Sequence, residues 1–294
     1  MIKAVVTNFD LQVEHVAGVQ FDVDLAEYKT NGGVHTSDDG LTVTAPPLMW
    51  AAALDLCLEK LKKQGVDFSN VAAVSGAGQQ HGSVYWKQGS RQQLQNLDAS
   101  LTLQNQLKDC FSKLNSPVWM DASTEKQCRA LEEAVGGATK LCELTGAVAF
   151  HRYTGSQIMK FAQNEPENYA KTERISLVSS FAASLLLGDY APIDLSDGSG
   201  MNLLNIKTHE WDDTGCIHSY FVKKYGFSPD CGVIAFTGDN PSSMAGSAVK
   251  YGDIEISLGT SDTGFLWLEK PFVNNYIVNF CNPMERSQYM GLFV

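Results

Sequence analysis

The sequence predicts a layered α/β fold, and three observations carry that prediction. Strand-like runs open the chain, a helix with a well-marked start follows, and a short apolar strand comes directly after it. Strand, strand, helix, strand is the order of an α/β layer. Strands return after residue 230, once a long stretch of helical pattern has passed.

The first two strands are expected at 2–9 and 12–21, bracketing Asn8-Phe9-Asp10 as a hairpin. Such a pair is marginal alone and needs a layer to pack on. The helix starts at Thr44-Ala45-Pro46-Pro47, where proline suits the first turn, with Thr44 or Ala45 at the cap. Trp50, Leu54, Cys57, Leu58 and Leu61 then recur at helical spacing as far as Gly65. Asn70 to Gly76 reads as a short buried strand. From about 122 to 190 the pattern is helical: Ser123 to Val135, Thr139 to Leu144, Ser156 to Gln163 and Ser179 to Leu187, three of them stopped by glycine. That stretch reads as a helix-rich insertion.

After it, strands are expected at Val233 to Phe236, Asp253 to Leu258 and Thr263 to Leu268, with a helix from Pro241 to Val249. Tyr289 to Val294 reads as a last strand in want of a neighbour that the chain does not supply. A shift of composition near Tyr251-Gly252 divides the chain into 1–250 and 251–294.

Composition narrows the function classes. With 44% hydrophobic and 19% charged residues, the chain has enough apolar mass to fold and too little charge for a disordered segment. Lys and Arg number 22 against 33 Asp and Glu, a net charge of −11. That balance speaks against nucleic-acid and membrane-surface partners, since no basic patch overrides it. Seven scattered cysteines without C-x-x-C spacing suggest reduced, buried thiols and a cytoplasmic location, not disulfides or a zinc site. No signal peptide and no run of 18 apolar residues is present, so secretion and membrane spanning are not expected.

Four segments carry residues suited to chemistry. Ser75-Gly-Ala-Gly-Gln-Gln-His81 follows a strand; its small residues permit close approach of a ligand, and Gln80 and His81 offer neutral donors and acceptors for sugar hydroxyls. It lacks the spacing of a phosphate loop. A plain structural turn fits the same residues.

Thr237-Gly-Asp-Asn-Pro241 places a carboxylate between a strand and a helix, where Asp239 is either an N-cap or a general base. Ser257-Leu-Gly-Thr-Ser-Asp-Thr263 is a turn able to form an anion nest or simply to close a hairpin. Arg152, in His151-Arg-Tyr-Thr-Gly155, either grips a polar ligand or lies on a surface loop.

Taken together with Ser196-Asp-Gly-Ser-Gly-Met201, Ala45-Pro-Pro-Leu-Met-Trp50 and Pro117-Val-Trp-Met-Asp121, these segments resemble the FGGY family of carbohydrate kinases over nearly the whole chain. The resemblance implies a ribonuclease H-like, actin-like ATPase fold of two domains with sugar and nucleotide in the cleft between them. It implies a first domain nearly complete at 1–250 and a second only begun at 251–294.

The implied reaction is ATP-dependent phosphorylation of D-xylulose to D-xylulose 5-phosphate, with ATP and Mg²⁺ as cofactors and no protein residue assigned as a metal ligand. Carried over residue by residue, Gln80, His81, Arg152, Asp239 and Asn240 would bind the ketose. Asp239 would be the catalytic base, and Gly259, Thr260 and Ser261 would form a phosphate turn. Three departures from the family pattern stand out: its opening strand with the first phosphate turn, its adenosine turn beyond residue 294, and a longer connection between Trp211 and Tyr220. They imply a truncated chain, weak or inactive alone. The alternatives are a non-catalytic sugar-binding or interaction fragment, and a kinase for another ketose or polyol.

Overall fold

The computed structural model of the chain describes residues 1–208, 214–216, 219–234, 236–257, 263–274 and 276–293. The phosphate-turn candidates Gly259, Thr260 and Ser261 lie outside the described residues, as does half of the short connection between Trp211 and Tyr220.

Ile2–Thr7 and Val13–Val19 form the expected antiparallel hairpin. One face of it, Ile2, Ala4, Val6, Ala17 and Val19, packs into the main core over the long helix Pro47–Lys63. That helix buries Met49, Ala51 and Ala53 completely and ends before Gly65, which turns the chain at a left-handed φ of 92°. Its cap is Pro46, one or two residues later than expected, and no side chain caps it. Proline at the first helical position leaves one fewer amide to satisfy.

The strand expected over 70–76 is shorter and more open than its sequence suggests. Only Ala73–Val74 is a strand, and Ala73 is exposed. It pairs in parallel with Gly232–Ile234, which pairs antiparallel with Thr214–Cys216. A second parallel pair, Ala77–Gly78 with Thr237–Gly238, continues both strands toward the site. An apolar run marks a buried strand only where neighbours lie on both sides. Here, among the described residues, the pairing is one-sided.

The helices of the central third fall where expected: Glu125–Val135, Ala138–Thr145, Thr154–Asn164 and Val178–Leu187. Gly136, Gly146 and Gly188 follow three of them in left-handed conformation. Within this stretch, however, Thr172–Leu177 is a strand paired antiparallel with Ser83–Lys87. Trp86 at the centre of that pair is fully buried and donates its Nε1–H to Ser176 Oγ at 3.0 Å. The partners are some ninety positions apart, a separation no local period reports.

The last strand corrects a second expectation. Tyr289–Phe293 is an inner strand of a four-stranded antiparallel sheet, between Thr263–Leu268 and Val278–Cys281, with Ile254–Ser257 at the far edge. Its neighbours come from the chain itself. Met244 and Val249, at the helix Asp239–Gly246 and just beyond it, pack on this sheet with Phe265, Phe280, Met290 and Leu292.

Candidate functional site

The carboxyl ends of Ala77–Gly78 and Thr237–Gly238 lie side by side, so the turns that follow them meet. This is where parallel α/β sheets form their ligand crevices. One turn delivers Gln80 and His81, the other Asp239 and Asn240. Asn240 donates its side-chain amide to Gln80 Oε1 at 2.6 Å, and the Gln80 backbone N–H donates to Asp239 Oδ1 at 3.3 Å. Residues 159 and 160 positions apart are thereby joined into one polar cluster.

Asp239 is not the helix cap. Gly238 holds that position and Asp239 is the first residue of Asp239–Gly246, its Oδ1 also accepting the N–H of Asn240 at 3.0 Å. Oδ2 takes no hydrogen bond from a described residue. The side chain stands at the open lip of the cluster, and the protein around it strips enough water to raise the carboxyl above its ordinary pKa. A carboxylate so placed has a free oxygen and a basicity moved toward neutrality, both needed in a general base.

His81 stands at a φ of 69°, in the left-handed region that few residues other than glycine adopt. Its ring packs against the buried Tyr153 at 4.9 Å between centroids, and its carbonyl accepts from Thr154 Oγ1 at 3.3 Å. Nδ1 is sealed from solvent and has no partner. Burial, with the nearby Arg152 charge adding to it, pulls the imidazole down to about 3, so it is neutral at physiological pH.

Arg152 is half-buried, its guanidinium over the rings of Phe150 at 5.0 Å and Trp119 at 5.7 Å, and its N–H groups donate no hydrogen bond to a described residue. Burial lowers its pKa. Stacked rings hold the flat group in orientation and leave its N–H donors available.

Two further atoms in the cluster are buried without partners: Gln80 Nε2 and Asp197 Oδ1. Both converge on Gly238, where an added Cβ would stand 2.9 Å and 2.7 Å from them. Asp197 belongs to the Ser196–Met201 motif, which sequence reasoning quoted without giving it a role; so does Trp119 in its own motif. The signal available for both was the motif, not the residue.

The glycines of Ser75–His81 act differently from expectation. At Gly76 a Cβ would run into the Phe236 ring, and at Gly78 into the backbone of Ser179. Their small size admits the protein's own neighbours.

Among the described residues, no three His, Cys, Asp or Glu side chains are grouped to hold a metal ion. Among the described residues, the side chains of Cys57, Cys110, Cys128, Cys142, Cys231 and Cys281 are buried and form no disulfide. No helix there is long and apolar enough to cross a membrane.

Residues 107–221 match the N-terminal domain of the FGGY family of carbohydrate kinases. The chain is 52% identical over 316 residues to the xylulose kinase of Rattus norvegicus, which covers 99% of this chain and 59% of that protein. It is 43% identical over 321 residues to xylulose kinase 2 of Arabidopsis thaliana, covering 100% of this chain and 57% of the relative. The chain thus spans less than two thirds of the length of the curated relatives it matches. Among solved structures, a xyloylose kinase from Brucella ovis superposes with a TM-score of 0.78 at 19% identity, over 99% of this chain and 57% of that one. Plasmodium falciparum glycerol kinase with ADP gives a TM-score of 0.74 at 14% identity, over 99% and 58%. At such identities the likeness is one of fold.

Proposed function

This chain belongs to the FGGY family of carbohydrate kinases and shares the actin-like fold of its solved members, and on that premise we propose that its cluster of Gln80, His81, Arg152, Asp239 and Asn240 binds a ketose. By kinship with its xylulose kinase relatives the sugar is D-xylulose. One observation supports this reading above others: a carboxylate with a free oxygen stands in a cluster whose neighbours keep buried hydrogen-bonding atoms without partners. Such atoms are costly unless a ligand satisfies them. A string of hydroxyls is the ligand that neutral amide and imidazole groups suit.

In the proposed reaction, Asp239 takes the proton of the sugar's 5-hydroxyl as that oxygen bonds to the γ-phosphorus of ATP and the bond to ADP breaks. Arg152 and His81 orient the sugar. Mg²⁺, when bound with the nucleotide, would offset the charge of the transferring phosphoryl group. Gly259, Thr260 and Ser261 are proposed to cradle phosphate. We divide the chain at 250/251 into a sugar-binding domain and the start of a nucleotide-side domain, and propose a cytoplasmic location.

Phosphoryl transfer depends on positioning both substrates. For a chain of this share of its relatives' length, we expect sugar binding to be retained better than turnover. Titration calorimetry tests this with D-xylulose, ribulose, glycerol and Mg-ATP in turn. Saturable binding of D-xylulose in preference to the other two supports the reading. No sugar binding overturns it, and tight binding of Mg-ATP with rapid turnover overturns the expected imbalance.

A further inference from the structure

The carboxyl of Asp197 is enclosed behind the site, and its geometry is unlike that of a structural anchor. It lies on the short helix Leu195–Ser199, 2% exposed. Asp194 ties that helix to the adjoining strand, its Oδ2 accepting the Asp197 N–H at 3.0 Å and the Thr237 hydroxyl at 2.6 Å. Asp197 Oδ2 accepts the hydroxyl of Ser179, at the start of the helix Val178–Leu187. Oδ1 faces Gly238 and has no partner. Gly238 immediately precedes Asp239 and also meets the side chain of Gln80. Asp197 Oδ1 and the Gln80 side chain therefore lie on the same side of Gly238, packed beside its junction with Asp239.

We propose that Asp197 is the positioning residue of this site: while neutral, its carboxyl holds the Gly238–Asp239 junction and Gln80 in register, and when it ionises it releases them. The functional side of this inference rests on the sugar-site reading above.

A buried carboxylate with a single hydroxyl partner is poorly compensated, whereas the neutral acid fits an enclosed space. Burial pushes Asp197 up to about 8, partly countered by the Ser179 hydrogen bond and reinforced by Asp194 and Asp239. The titratable and charged groups around it are few. Asp194 lies on its own segment, Asp239 across Gly238, and His81 faces Gly200 at the end of the same helix turn. The helix Val178–Leu187 presents only the Ser179 hydroxyl. Cys281, against Ser196 and Ser199, is held as a thiol, its pKa pushed up to about 11. No cation among them would stabilise the ionised form, so ionisation must open the packing to admit water.

The test compares the unaltered chain with Asp197→Asn, a neutral isostere, and Asp197→Ala, which removes the clamp. Ligand-free hydrogen exchange over residues 76–82 and 236–240 should quicken in the unaltered chain, relative to Asp197→Asn, as pH rises through about 8. The thermal midpoint should likewise fall relative to Asp197→Asn between about pH 4 and 8, since the folded state binds a proton that the unfolded state has released. D-xylulose affinity should weaken about tenfold from about pH 7 to about pH 9 in the unaltered chain and stay within about threefold in Asp197→Asn. Asp197→Ala should bind about tenfold more weakly at every pH.

Superimposable exchange and thermal curves for the unaltered chain and Asp197→Asn would overturn the proposal. So would full sugar affinity in Asp197→Ala, or a tenfold loss in Asp197→Asn at every pH. If Asp197→Ala does not fold, Ser179→Ala, which removes the other half of the clamp, replaces it and should show the same loss. A chain that binds no ketose at any pH sinks the sugar reading, while the ligand-free measurements still decide the role of Asp197.

Discussion

Two buried aspartates divide this molecule into a part that holds and a part that acts. Asp55, on the helix Pro47–Lys63, is 4% exposed. Its Oδ1 accepts the hydroxyls of Tyr220 at 2.8 Å and Tyr225 at 2.7 Å, its Oδ2 accepts the Leu103 N–H at 2.7 Å, and Lys224 Nζ stands 3.2 Å away. Asp197, equally buried, has one partner for its side chain and an oxygen without any. Both carboxyls are far from water, yet only the first is compensated. Buried polar groups are ordinarily paired, so an unpaired one marks a place whose arrangement the packing of the fold alone does not explain.

The sharpest way to break the acting half is at Asp239. In Asp239→Asn of a full-length form the amide keeps the shape and loses the base, so phosphoryl transfer should drop by about 10²- to 10⁴-fold with D-xylulose affinity within about threefold. Steady-state kinetics beside calorimetry separates the two, and unchanged turnover removes Asp239 from the base role. The holding half breaks at Asp55. Asp55→Ala removes the carboxylate shared by two buried tyrosine hydroxyls, the Leu103 amide and the Lys224 ammonium, leaving the longer bonds to the Leu101 and Asp55 carbonyls, and should cost about 3 kcal/mol of stability in denaturant unfolding. The folded fraction should bind sugar as before; a loss of affinity equal to that in the site variants would erase the distinction between the halves.

A smaller effect is expected where the two demands meet. Gly238→Ala would set a methyl 2.7 Å from Asp197 Oδ1 and 2.6 Å from Gln80 Cγ, both on side chains packed in place. The strand must shift, at about 1 to 3 kcal/mol. Sugar affinity should fall with it, because the displaced residue carries Asp239. Full affinity in a destabilised Gly238→Ala would show that the close approach serves packing alone.

How much of this could be read from the residues depended on how local the cause was. The Pro-Pro start of the long helix, the glycine stops of the central helices and the opening hairpin were all legible, because each is decided within a few positions. The pairing of Ser83–Lys87 with Thr172–Leu177 was not, since the partner strand alternates only loosely and lies far along the chain. Nor was the enclosure of Tyr289–Phe293 between two strands, although its apolar run said that it needed them. In the site, Gln80, His81 and Asp239 were legible as hydrogen-bonding and basic groups at the ends of strands, whereas Asn240 came only with the family resemblance. The role of Asp197 was hidden because it is made by Ser179 and Gly238, neither of which carries a chemical signal of its own.

The mildest test of the comparison concerns His81, which belongs to the acting half by its unpartnered Nδ1 and to the holding half by its packing on Tyr153. Its pKa falls from 6.5 to about 3 on folding, chiefly through burial, so the folded state refuses a proton that the unfolded chain accepts. Stability from this group is therefore complete above about pH 6.5 and is lost progressively as pH falls toward about 3. His81→Asn keeps a residue that tolerates the left-handed backbone and removes the titration. The difference in thermal midpoint between the two proteins should shift against the unaltered chain as the solution is acidified, while other acid-labile groups cancel in the subtraction. At neutral pH the variant should fold nearly as well and bind D-xylulose a few-fold more weakly, about the value of one hydrogen bond. A constant difference across the acid range would mean that His81 is open to water in the folded protein, and its sealed Nδ1 would then no longer count as an atom waiting for a ligand.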